Sequence, residues 1–273
     1  MGRFANTWRL TKTSWSLLKQ DRELLWLPVL SMLVILVLAA AACVVGFVVG
    51  DVEEGTISGS MAVLGIVFLV AMTSAGVFFE GALVAGAYDR MTGGDPTVRS
   101  AMGRAGTHLP GLIGWAVITV TVGILIRFLR ERFGAIGNIM GWIAEAAWGI
   151  ATYLVVPAII VDDERAVSGI KRSASLVKQT WGENLISQAG FGLLGFVLML
   201  PAVIVGVLIA FIVPGSVGVV VGTAVGVAGA VTALVVVNAL SIYFKTALYV
   251  YATQGEVLGG YDGDQMRNTF RTK

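Results

Sequence analysis

Long apolar runs alternate with short charged segments along the chain, and the length of the runs sets what they can form. A helix needs roughly 20 apolar residues to cross the hydrocarbon core of a bilayer, about 30 Å thick. Six stretches qualify: residues 24–50, 58–88, 111–128, 136–161, 185–213 and 216–252. The pattern predicts an all-α membrane protein with six transmembrane helices, followed by a cytoplasmic tail over 253–273. The sixth run exceeds one crossing. Its last turns, with Tyr243, Tyr249 and Tyr251, are expected in an aromatic belt at the headgroups.

The charged segments set the orientation. Arg3, Arg9, Lys12, Lys19 and Arg22 precede the first run, and Arg90, Arg99 and Arg104 separate the second from the third. Arg165, Lys171, Arg172 and Lys178 lie between the fourth and fifth, and Arg267, Arg271 and Lys273 follow the sixth. The opposite side receives Asp51, Glu53 and Glu54, the Pro214-Gly215 turn, and one basic exception, Arg127, Arg130 and Arg132 with Glu131. By the positive-inside rule both termini are cytoplasmic, in a multi-pass plasma-membrane protein. The first run continues for a full crossing, so no cleavable signal is expected, and Cys43 is expected as a small hydrophobe within a helix.

A weak repeat organises the polar segments. Ser16-Leu17-Leu18-Lys19-Gln20 recurs as Ser175-Leu176-Val177-Lys178-Gln179, each ahead of an apolar run. Ile170, Ala174, Val177 and Trp181 fall at helical spacing, as do Val98, Met102, Ala105 and Leu109. Near the N-terminus Phe4, Trp8, Trp15 and Leu18 follow the same rhythm. The chain thus reads as three hairpins, each preceded by a cytoplasmic amphipathic helix. Asp95 as N-cap with Pro96 at the first helical position is expected to start the middle one, and Asp162 or Asp163 the third.

Composition excludes more than it suggests. With 56% hydrophobic and 13% charged residues, the chain falls well short of the about 25% charged that soluble domains carry. One histidine and one cysteine leave no room for a His- or Cys-based metal site, a catalytic triad or a disulfide framework, so no cofactor is expected. A net charge of +2 gives no reason to expect nucleic acid as a partner.

The words Phe79-Glu80-Gly81-Ala82-Leu83-Val84-Ala85 and Gly94-Asp95-Pro96-Thr97-Val98 carry a resemblance, as do Val156-Pro157-Ala158 and Arg172-Ser173-Ala174-Ser175-Leu176. Thr180-Trp181-Gly182-Glu183 and Ala247-Leu248-Tyr249-Val250-Tyr251-Ala252 extend it. Together they resemble a family of uncharacterised prokaryotic six-span membrane proteins, defined as a domain of unknown function. More loosely, the helix before the fifth run is similar to one in the non-catalytic membrane domain of certain glycerophosphodiester phosphodiesterases. The resemblance implies the architecture and transfers no catalytic residue.

Charges inside apolar runs are the first functional candidates, because each costs several kcal/mol at the bilayer centre. Glu80 and Lys245 lie at matching depth near the cytoplasmic ends of the second and sixth runs, and Glu145 and Arg127 match in the outer half. Two ion pairs, Glu80–Lys245 and Glu145–Arg127, would satisfy all four. Gly218, Gly222 and Gly226 form a small-residue stripe suited to close helix packing within the bundle, or to a homo-oligomer interface. Gly93-Gly94-Asp95-Pro96 lacks the Gly-Lys-Ser/Thr of a phosphate loop, and His108 has no acid beside it in the sequence, which suits an interfacial anchor. Trp8, Trp15, Lys19, Lys171, Arg172, Lys178 and Trp181 are what an anionic leaflet attracts, and are expected to lie flat in the cytoplasmic interface.

Two functions follow. The first is a non-enzymatic membrane-organising or accessory protein that binds anionic lipid or a larger membrane complex. The second is a small-solute or ion transporter or channel using Glu80, Glu145 and Lys245. No broken helix with a polar midplane is evident in the runs, which counts against the second. An intramembrane enzyme ranks last, since no Ser/His cluster, paired Asp or acidic metal set occurs in them.

Overall fold

The structure, a computed structural model, describes residues 13–49, 59–180 and 190–258, and over these it is helical with no strand. Residues 13–18 are helical, and a 3-10 turn over Arg22–Leu25 leads into α1 (Trp26–Val49) and α2 (Gly59–Met91). Then come α3 (Val98–Thr107), α4 (Leu109–Ala151), α5 (Val155–Val161) and α6 (Ala166–Thr180). A last pair, α7 (Gly190–Ile212) and α8 (Ser216–Gln254), completes the described chain. Four helical stretches are long and apolar enough to cross a membrane: Arg22–Val48, Gly59–Met91, Leu109–Val161 and Ser216–Gln254.

Two of these need a closer account. The α4 stretch reverses at Gly134, whose φ of 54° and ψ of −130° are open only to glycine. Trp115 therefore stacks on Trp148, with ring centroids 5.9 Å apart, although 33 positions separate them in sequence. The return is tight: a Cβ on Gly137 would come within 2.6 Å of the Leu129 carbonyl oxygen. A second interruption falls at 152–154, between α4 and α5. Pro157 explains it, because proline has no N–H to donate and its ring clashes with the carbonyl four residues back, here that of Tyr153. As the third residue of α5, Pro157 sits in a first turn, where its missing donor is tolerated.

The core lies at one end of the helices. It joins the second half of α2, from Val77 to Met91, with the second half of α8, from Val235 to Val250, and with Leu154–Ile160. Leu17, Leu18, Leu24, Leu27, Ala101, Ala105, Leu176 and Val177 close it from outside. α2 is the hub, packing on α1, α3, α4, α5 and α8. Away from this core the helices turn apolar side chains outward, Phe47 and Phe211 being more than four-fifths exposed. Helices that bond their own backbone and face outward with hydrocarbon match what a bilayer requires.

The described parts of the three polar segments, residues 13–18, α3 and α6, are helical, and most of their apolar positions pack on protein. In α6 the buried positions are Ala166, Gly169, Ser173, Leu176 and Val177, with Ile170 and Ala174 half-buried. In α3 they are Ala101 and Ala105, while Leu109 is exposed. In the first segment Ser14, Leu17 and Leu18 are buried and Trp15 points out. Trp8 and Trp181 lie outside the described residues. The tyrosines also differ from the expected belt: Tyr243 and Tyr249 are fully buried in the core. The caps are corrected too. Thr97, in a reciprocal box with Ser100, caps α3, while Ser168 turns back on Arg165 ahead of α6. Asp95, Asp162 and Asp163 are drawn instead to charged or hydroxyl partners elsewhere.

Candidate functional site

The two charges with the greatest sequence separation meet. Lys245 on α8 donates to Glu80 on α2 across 2.6 Å, with side chains 16% and 28% exposed. Lys245 is the one charge on α8, and Glu80 lies two turns before the terminal Asp89 and Arg90 of α2. Glu80 lies in the word Phe79-Glu80-Gly81-Ala82, and Lys245 one turn after Ser241. The ammonium also sits 5.0 Å from the ring centroid of Tyr153, the middle residue of the 152–154 interruption. An ammonium over an aromatic face, beside a carboxylate, has both an ionic and a π partner, and each gains strength where water is scarce.

The interruption is held open from a third direction. Ser173 of α6, fully buried, accepts from the Leu154 N–H at 3.0 Å and donates to the Ala151 carbonyl at 2.7 Å. One hydroxyl thus satisfies a donor and an acceptor that the broken helix leaves over. The apolar run 136–161 is thus interrupted at 152–154, beside the Glu80–Lys245 pair. The sequence signal of the interruption was Pro157.

Around this centre lie three further ties at the same end. Arg90, at the foot of α2, bonds Asp21 through two nitrogens and reaches Asp95 at 2.7 Å, fastening the N-terminal segment to the turn before α3. Tyr249 donates to Asp162 at 2.6 Å, with Arg172 at 3.8 Å from the same carboxylate. His108 meets Asp163 through one ring nitrogen and the Arg104 carbonyl through the other. The acid beside His108 was invisible in sequence because it lies 55 positions downstream.

At the far end the expected pair changes partner. Glu145 bonds Arg130, not Arg127, which pairs one turn away with Glu131 at 2.9 Å. The reversal at Gly134 brings Arg130 across to Glu145, and the local i,i+4 geometry takes Arg127. Lys19, Lys171, Arg172 and Lys178 are all exposed, and Lys19 covers the outward Trp15 ring at 5.5 Å. Among the described residues no group of His, Cys, Asp or Glu is arranged to hold a metal ion.

A family model described as a family of unknown function, DUF6159, matches residues 57–259. The chain belongs to that family. The DUF6159 match contains Glu80, Tyr153, Ser173 and Lys245, so the whole cluster falls within it. No curated protein and no solved structure matches the chain.

Proposed function

We propose that this DUF6159 chain is a six-span plasma-membrane protein without catalytic activity, which organises or supports other membrane components through its basic, cytoplasmic end. The observation that carries this reading is the single core in which all three basic segments meet. Leu17 and Leu18, Ala101 and Ala105, and Leu176 and Val177 converge on it, leaving Lys19, Arg99, Lys171 and Lys178 outward at one end of the helices. Six crossings follow if the Leu109–Val161 stretch counts twice across Gly134 and α7 counts once. Most described apolar positions of these segments are buried in protein, and the outward cations, beside the exposed Trp15, are the part that meets anionic headgroups or a larger complex. Near an anionic leaflet each contributes about 1 kcal/mol. Mass spectrometry of the protein released in gentle detergent tests this. Anionic phospholipid retained by the wild type and lost when Lys19, Lys171 and Lys178 become Gln supports it. A single lipid-free copy contradicts it.

A second reading, an ion or small-solute transporter, draws on one observation, the interrupted helix at 152–154 beside Glu80 and Lys245. Discontinuous helices near intramembrane charges are how transporters build sites. The ties around the centre favour the static reading, since Glu80 and Lys245 already satisfy one another.

A further inference from the structure

We infer that Ser173 is a latch through which an anionic membrane surface, acting on α6, sets the position of Tyr153 against the Glu80–Lys245 pair. The inference rests on the proposed reading, and adds to it a route from the surface into the bundle.

The chain of contacts is short and every link is a named atom. Lys171 and Lys178 stand exposed on α6, while the opposite face of the same helix buries Ser173. That hydroxyl is the shared partner of Leu154 N–H and Ala151 C=O, the two backbone groups flanking the interruption. Tyr153 lies between them, its ring 5.0 Å from the Lys245 ammonium that bonds Glu80. Displacing α6 therefore removes both bonds at once. It leaves a buried donor and acceptor unpaired, and loosens the residues that hold the ring in place.

Two features make α6 the movable member. Its contact face begins with small residues, Ala166, Gly169 and Ser173, which bring it against α5 at the latch with no long side chain of their own; a Cβ on Gly169 would make only ordinary contact, 3.5 Å from the Ile159 and 3.6 Å from the Val155 side chain. Its ionic tie from Arg172 to Asp162, just past the end of α5, spans 3.8 Å, longer than the Arg90–Asp95 bond that fastens the neighbouring segment. An apolar residue at position 173 would fill the same face and abolish the link. Serine at the centre of a buried stripe makes both bonds and can release both.

Hydrogen exchange of the full-length protein in nanodiscs tests the latch, with phosphatidylcholine alone compared with phosphatidylcholine plus phosphatidylglycerol. The amides of Leu154 to Val156 are expected to exchange several-fold faster in the anionic discs. K171Q/K178Q should remove that difference, and S173A should exchange fast in both lipids. Equal exchange in both lipids for the wild type, or a lipid difference that survives K171Q/K178Q, would overturn the latch. So would an S173A protein as protected as the wild type. Because K171Q/K178Q leaves the core intact, the test stands even where S173A fails to fold. Anionic lipid retained by the wild type, with no change at Leu154, overturns the latch and leaves the proposed function standing. Loss of all lipid retention overturns both.

Discussion

Replacing Lys245 with Met is expected to destabilise the protein by about 3 kcal/mol, because Glu80 would then be an unpaired carboxylate in an apolar bundle. Glu80→Leu alone should cost a similar amount by stranding the ammonium, which the Tyr153 ring compensates only in part. The double variant should recover most of the loss, since removing both charges removes both desolvation penalties. Thermal unfolding in detergent gives the three values. Additive losses would mean that the contact at 2.6 Å contributes no coupling. A stable double variant that loses a cellular function would shift the balance to the transporter reading, since stability and function would then have separated.

The second large effect concerns the α7–α8 hairpin. Gly206→Ala should destabilise by about 2 to 3 kcal/mol, near the top of the usual range for overpacking. A Cβ there would lie 2.6 Å from the Gly222 carbonyl oxygen and 2.8 Å from the Gly226 Cα. Both are backbone atoms that cannot rotate aside, so the two helices must separate. Gly123→Ala is the matched control. Its Cβ meets nothing within 4 Å, and it should be neutral or stabilise by less than about 1 kcal/mol. Equal effects at the two sites would deny the close approach. Gly222 and Gly226 face α7 of the same chain and Gly218 faces Val213 in the turn, so close packing within one copy accounts for the stripe without a second.

Long elements were legible because their signal is additive over many residues. The long helices α1, α2 and α8 lie over the apolar runs 24–50, 58–88 and 216–252. Depth matching also found the partner of Glu80, since both charges sit on long helices, α2 and α8, that pack side by side. It failed for Glu145, because a one-glycine reversal at Gly134 shifts the register by several residues, and no apolar count resolves that. The amphipathic stripes were legible as stripes. Periodicity carries no information on whether lipid or protein covers them, and the polar Ser173 at the centre of one is passed over by any count of apolar positions. Asp163 opposite His108, like Ser173 at the 152–154 break, depends on contacts across the chain that local sequence does not encode. Pro157 alone pointed to the break, and only through its missing N–H.

The central claim is that the helices cross six times and gather the three basic segments on one side. Single cysteines placed in a Cys43→Ala background at Gly55, Gly94, Ala135, Ser168 and Gly215, and probed with an impermeant thiol reagent in oriented membranes, test it directly. Gly94 and Ser168 positions should react from the cytoplasmic side only, and Gly55, Ala135 and Gly215 positions from the opposite side only. Labelling of the Ala135 position from the same side as Gly94 would contradict it, because the Gly134 reversal would then be no crossing point.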